Sequence, residues 1–189
     1  MNRRSAGRAV TALSALAITL SLAACASAPN VIEKLQTASS TIGLTDADGY
    51  IPNGDSLTLA SDKAAITKLD PALLSALRSA DTAAEDERGI SITITDGWRS
   101  ERYQNVLFEQ AVHKYGSDEE ASKWAKRGTD SAHVSGQAVD IATADAMDFL
   151  NRFGDRWGLC QVYANEIWHF ELRTTAGDTC PPMAEDGRG

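Results

Sequence analysis

Ser131-Ala132-His133-Val134-Ser135-Gly136-Gln137-Ala138-Val139-Asp140-Ile141-Ala142 joins a loop of small and polar residues to a run of β-formers, and its reading decides the fold. Side chains alternate along a strand, so in the strand predicted from Gln137 to Ala142 Ala138 and Asp140 share one face, and Val139 and Ile141 the other. Acids are depleted in strands, and Asp140 interrupts an apolar run, which marks it as a residue with a partner. Gly136 lets the backbone bend between His133 and the strand.

Outward from this strand the pattern alternates between helical and extended periods. Asp70 caps and Pro71 opens a helix in which Leu73, Leu74, Leu77, Ala80 and Ala84 recur at helical spacing as far as Gly89. Ile90 to Thr95 alternates apolar and hydroxyl residues and predicts a strand, broken by Asp96-Gly97. Ser100 caps a second helix with an apolar stripe of Val106, Leu107, Phe108, Ala111 and Val112, ending at Gly116. Ser117 and Glu120 form a capping box for a shorter helix to about Arg127. Beyond the central strand, Thr143 and Asp145 open a helix through Phe149, Leu150 and Phe153 that stops at Gly158. Leu159 to Tyr163 and Ile167 to Arg173 predict two strands able to pair as a hairpin. Helices flanking a small sheet make the fold class α+β.

Two of the three histidines fall in chemically rich clusters, His133 above and His169 in Asn165-Glu166-Ile167-Trp168-His169. With Asp140 they supply two imidazoles and a carboxylate, the donor set of a catalytic Zn2+ that keeps one position open for water. Glu166 is placed to take a proton from that water and pass it to a leaving amine, and Arg99 to stabilise a developing oxyanion. His169 and Glu166 lie three residues apart, so in a regular strand they would face opposite ways. For both to serve one metal, Asn165-Glu166 must lie in a turn, with pairing beginning near Trp168. Trp168 is expected as a packed wall of the cleft, with substrate stacking as the other reading. Glu171 shares His169's face and is either an acceptor that orients the imidazole or a plain surface acid. His113, beside Lys114 and without an acidic partner, is expected at the surface.

The N-terminus sets the compartment. Arg3, Arg4 and Arg8 precede an apolar run from Ala9 to Ala24, the layout of an export signal, and Leu22-Ala23-Ala24-Cys25 reads as a lipobox with Cys25 as the lipid acceptor. Cleavage after Ala26-Ser27-Ala28, releasing a secreted protein, and an uncleaved anchor are the other readings. Residues 1–24 hold three arginines and no acid, so the remaining chain has a net charge of −11 against −8 for the whole, which argues against nucleic acid as a partner. In an oxidising compartment Cys160 and Cys180 are expected to form a disulfide, with zinc ligation as the rival reading. Four segments result: a signal peptide (1–24), a tether (25–55), one catalytic domain (56–180) and a flexible tail (181–189), with no internal repeat and no sign of more than a monomer.

Gly97-Trp98-Arg99-Ser100 with Gln104, the Ser-x-His-x-x-Gly-x-Ala-x-Asp segment and the Glu-x-Trp-His segment, in that order, resemble the VanY-type D-alanyl-D-alanine carboxypeptidases. These are zinc peptidases of bacterial cell-wall metabolism that share their fold with the Hedgehog signalling domain. The resemblance runs from about Leu57 to Glu171. It implies a small antiparallel sheet with helices packed on it, His133, Asp140 and His169 as zinc ligands, Glu166 as acid/base and Arg99 on the carbonyl oxygen. It also implies that Ser131 and Gln104 help hold the terminal D-amino acid and its carboxylate. Two departures stand out: Ile167 replaces a common Pro, loosening the turn that carries Glu166, and Trp98 replaces a common Tyr, which is expected to reshape one wall. The expected activity is removal of the terminal D-alanine from peptidoglycan stem peptides outside the cytoplasmic membrane. L,D-carboxypeptidase action on tetrapeptide stems and a non-catalytic wall-binding or sensor lipoprotein are the alternatives.

Overall fold

The computed structural model describes residues 43–189, so the signal segment, Cys25 and most of the tether lie outside the described residues. No helix among the described residues is long and apolar enough to cross a membrane. Five strands, β1 (Leu57–Thr58), β2 (Thr93–Asp96), β3 (Ala138–Ile141), β4 (Leu159–Gln161) and β5 (His169–Leu172), form one antiparallel sheet in the order β1-β2-β3-β5-β4. The helices are α1 (Ala64–Thr67), α2 (Pro71–Arg88), α3 (Glu101–Tyr115), α4 (Asp118–Ala121) and α5 (Ala144–Phe153).

Helix α2 starts where its sequence says it should: the Asp70 carboxylate accepts from the Ala72 and Leu73 amides at 2.8 and 3.2 Å, and Gly89 closes the helix at φ 65°. Its apolar stripe, Leu73, Leu77, Ala80 and Ala84, is fully buried against the sheet face carrying Ile94, Val139, Ile141 and Phe170, and α5 adds Phe149 and Leu150 to the same core. At roughly 1.5–3 kcal/mol for each buried large aliphatic or aromatic side chain, this layer supplies most of the drive to fold. The opposite sheet face is the one Asp140 points to. The pairing places Asp140 directly across from His169, and Ala138 across from Glu171, so the register of two strands fixes the centre of the site.

A bulge in β2 re-aims a third acid. Ile94 pairs with Ile141, but Asp96 rather than Thr95 pairs with Asp140. Two residues of β2 thereby oppose one of β3, which turns Asp96 toward the Asp140 face. Gly136 has φ 75°, and a Cβ there would meet the Lys68 carbonyl oxygen at 2.5 Å, so the bend before β3 requires glycine.

Both domain boundaries move outward. Residues 43–55, expected to be tether, contribute buried Leu44 and Ile51, and Asp48 takes the Ser100 hydroxyl at 2.9 Å. The segment 181–189, expected to be a flexible tail, is packed on the domain. The Ala184 amide donates to Val162 and the Gly187 amide to Lys123, and the Asp186 carboxylate is buried. A Cys160–Cys180 disulfide with Cα atoms 5.7 Å apart anchors this segment to β4, and the two thiols are thereby unavailable as zinc ligands.

Candidate metal centre

His133, Asp140 and His169 come from a loop, a strand interior and the first residue of β5, and all three are buried. His133 Nε2 lies 3.2 Å from His169 Nδ1 and 3.4 Å from Asp140 Oδ1, and His169 Nδ1 lies 3.3 Å from the same oxygen. Ligands at 2.0–2.1 Å from a tetrahedral zinc are separated by about 3.3 Å. The three donor atoms therefore already form one face of a zinc tetrahedron. Asp140 Oδ1 is buried and lacks a hydrogen-bond partner among the described residues, and an orphaned carboxylate oxygen facing two imidazole nitrogens fits a cation.

The outer atom of each ligand is tied down. His133 Nδ1 is 2.8 Å from the Gly97 carbonyl oxygen, to which it donates, leaving the Nε2 lone pair facing inward. His169 Nε2 is 3.0 Å from Glu171 Oε1, so the neutral ring, once it gives up its second proton, presents its Nδ1 lone pair inward. Asp140 Oδ2 accepts from Arg99 at 2.7 Å. Glu171, left open between two roles by the sequence, is the buried acceptor of an imidazole, and Arg173 in turn donates to its other oxygen at 3.2 Å.

Glu166 lies off the strand. Its amide donates to Tyr163, its carbonyl accepts from His169 at 3.1 Å, and β5 begins only at His169. The turn points its carboxylate inward, with Oε2 3.8 Å from His169 Nδ1. Ile167 takes the exposed outer corner, 54% accessible, while the Asn165 amide anchors the turn on the Lys123 carbonyl at 2.8 Å. That anchor restrains the turn where a proline would otherwise stiffen it.

Charge separates the acids. Burial pushes Glu166 up to about 7, outweighing the opposing pull of His169 and Arg99. Burial would also raise Asp140, but His133, His169 and Arg99 hold it well below the ordinary carboxylate range. Burial lowers His133. His169, which burial would lower, is instead raised to about 9 by Asp140 and Glu171. In the metal-free site, one carboxyl is thus poised near neutrality beside another held ionised, a split in which burial and neighbouring cations act in opposite directions.

Arg99 is buried and braced on three sides: Nε donates to Asp96 at 3.1 Å, one terminal nitrogen to Gln104 at 3.1 Å, and the other to Asp140. A guanidinium has five N–H groups, so two remain uncommitted, and Arg99 is among the residues that line the cleft. Gln104 is fully buried and also donates from Nε2 to the Lys126 carbonyl at 2.7 Å. Ser131 and half-buried Trp168 line the cleft, an open trough of about 1230 Å³ that reaches the metal-ligand face. Trp98 instead turns away, donating to the Val134 carbonyl and lying under the Lys68 ammonium, 3.8 Å from the ring centroid. Of the surrounding groups, the brace from Asp96 and the cleft position of Lys126 have no signal in the sequence. The first depends on the bulge and the second on a loop with no periodicity.

Residues 66–172 match the family VanY, described as D-alanyl-D-alanine carboxypeptidase. The chain belongs to that family. Among solved structures, a mutant of the vancomycin-resistance D,D-pentapeptidase VanY from a VanB-type cassette, in complex with Zn(II), aligns over 65% of this chain and 82% of its own, with TM-score 0.52 and 19% identity. VanYB in complex with D-alanine-D-alanine aligns over 65% and 80%, with TM-score 0.52 and 20% identity. The likeness confirms the α+β fold with its five-stranded antiparallel sheet. The LD-carboxypeptidase LdcB also aligns, over 65% of this chain and 70% of its own, with TM-score 0.49 and 22% identity. No curated protein matches the sequence significantly.

Proposed function

We propose that this VanY-family member is a zinc D,D-carboxypeptidase that removes the terminal D-alanine from peptidoglycan stem peptides, and that it works outside the cytoplasmic membrane as a lipoprotein anchored through Cys25. The observation that carries the chemistry is the inward turn of the Glu166 carboxylate beside three metal-donor atoms set one tetrahedral edge apart.

A zinc ion held by His133, Asp140 and His169 supplies, when bound, the Lewis acidity that activates water and polarises the scissile carbonyl. Glu166, its carboxylate turned inward beside the donor atoms, accepts the proton of the attacking water. As the water oxygen bonds to the carbonyl carbon, the two free N–H groups of Arg99 stand available to the carbonyl oxygen. When the C–N bond breaks, Glu166 delivers the proton to the departing amine. Asp96 and Gln104 fix the Arg99 plane, so its donors need no reorganisation during the reaction. Ser131 and Trp168 form the cleft wall against which the terminal residue packs.

The test is to incubate the purified protein with pentapeptide and tetrapeptide stems, with and without chelator, and identify the amino acid released. Chelator-sensitive release of D-alanine from the pentapeptide supports the proposal. Release from the tetrapeptide alone assigns L,D-specificity, and release from neither leaves a wall-binding protein. A Cys25→Ser variant is expected to leave the membrane fraction; if it stays, the anchor lies elsewhere.

A further inference from the structure

Glu166 sits in the stretch between β4 and β5 that leaves the sheet, and the C-terminal segment holds that stretch from outside. The Ala184 amide donates to the Val162 carbonyl at 2.9 Å, and the Ala184 carbonyl accepts from the Ala164 amide at 2.8 Å. Ala184 thereby pairs with Tyr163 as a parallel bridge. Further on, the Gly187 amide donates to the Lys123 carbonyl at 3.0 Å, the same oxygen that accepts from the Asn165 side chain at 2.8 Å. A carbonyl oxygen has two lone pairs, so one atom ties both the segment and the Glu166 turn to the same point.

The segment is shaped for this seat. A Cβ at Gly187 would lie 2.9 Å from the Ser122 carbonyl oxygen and 3.3 Å from that of Lys123, so the close approach calls for glycine. Asp186 takes the Arg188 amide at 3.0 Å and its guanidinium at 2.7 Å, folding the chain end back on itself. Gly187 also reaches the cleft wall.

The core does not depend on these residues. None of 181–189 belongs to the hydrophobic core, whose last member along the chain is Phe170. His133, Asp140 and His169 lie on other segments. What the segment grips is the backbone immediately before Glu166, and the Glu166 amide donates back to the Tyr163 carbonyl at 3.3 Å. Tyr163 is the link: its backbone neighbours bind Ala184, its carbonyl binds Glu166, and its ring lies 5.1 Å from that of His169.

We propose that residues 183–189 are a strap that positions Glu166 for proton transfer, acting through the backbone of Val162 and Ala164 and through the shared Lys123 carbonyl. This inference rests on the carboxypeptidase reading above. Proton transfer needs its partners within hydrogen-bond reach, and a misplacement of about 1 Å costs up to about 100-fold in rate.

The experiment compares the full chain, in detergent and loaded with zinc, with a variant ending at Pro182, which keeps the Cys160–Cys180 bond. Both act on the pentapeptide stem, with kcat expressed per bound zinc so that unfolded or metal-free protein does not count. The shortened chain is expected to lose about 10- to 100-fold in kcat, with KM and zinc affinity within about threefold of wild type. Hydrogen exchange at the Glu166 amide, which the strap does not itself bond, should quicken about tenfold or more, while Val139 in β3 is unchanged. Ala184→Pro, which removes the donor to Val162, should reproduce both effects and carries the test if the shortened chain does not fold; Ala184→Ser, which keeps that donor, should behave as wild type. A strap variant with kcat per zinc within about threefold of wild type, or with an unchanged Glu166 amide, refutes the positioning role and leaves the carboxypeptidase reading standing. A wild type that releases no D-alanine overturns that reading and the strap's role with it.

Discussion

Glu166→Gln is expected to stabilise the metal-free protein while destroying its activity. Burial raises the folded-state pKa of Glu166 from 4.5 to about 7. Below pH 4 the group is protonated in both folded and unfolded chains and costs nothing. Between pH 4.5 and 7 the unfolded chain gives up its proton while the folded chain keeps it, so the folded state binds more protons and stability falls as pH rises. Above pH 7 both forms are ionised and the penalty is constant, on the order of 3 kcal/mol at 1.36 kcal/mol per pKa unit. Glutamine has nearly the same shape and no charge to desolvate. In urea unfolding of chelator-treated protein with the disulfide intact, the variant should match wild type near pH 4 and exceed it by about 2–3 kcal/mol at pH 8. Added zinc should shrink the gap, because a cation beside a carboxylate favours its ionised form. A variant with the same advantage at both pH values would show that the gain is packing, and that Glu166 is not held in a desolvated position.

Three further outcomes follow from the same geometry. His169, raised to about 9 by Asp140 and Glu171 after the opposing effect of burial, must lose its proton to become a ligand. Zinc affinity should therefore weaken about tenfold per pH unit as pH falls below 9, with proton release on zinc binding; a flat profile from pH 6 to 9 contradicts the assignment. Glu171→Gln should lower zinc affinity about 10- to 100-fold and recover most activity at saturating zinc, measured by chelator competition. Replacing Cys160 and Cys180 by Ser releases a 20-residue loop and should cost about 3 kcal/mol in denaturant unfolding.

Sequence and structure agree closely where local chemistry dominates. The caps at Asp70, Ser100, Ser117 and Thr143 accept backbone amides as their side chains predict, since an N-cap is satisfied within three residues. The demand that Glu166 leave the strand follows from the sequence alone, because period-two alternation forbids Glu166 and His169 from sharing a face. The N-terminal boundary does not follow from it. Turn-rich composition around residues 43–55 has the look of a linker, yet Asp48 and Ile51 find their partners through contacts far along the chain. The tail differs from expectation for a similar reason: its Pro and Gly content hides a segment held by a disulfide and by amides reaching Val162 and Lys123.

The sequence by itself picked out His133, Asp140, His169 and Glu166 as candidates and the alternation of helices and strands, because these depend on residue type and on periods no longer than a helix turn. The tertiary structure decided the rest. The β3–β5 register sets Asp140 against His169, the β2 bulge turns Asp96 toward Arg99, and burial makes Glu171 an imidazole acceptor. Register, bulges and the pairing of charges are settled by contacts between distant segments, and no local pattern encodes which distant segment will arrive.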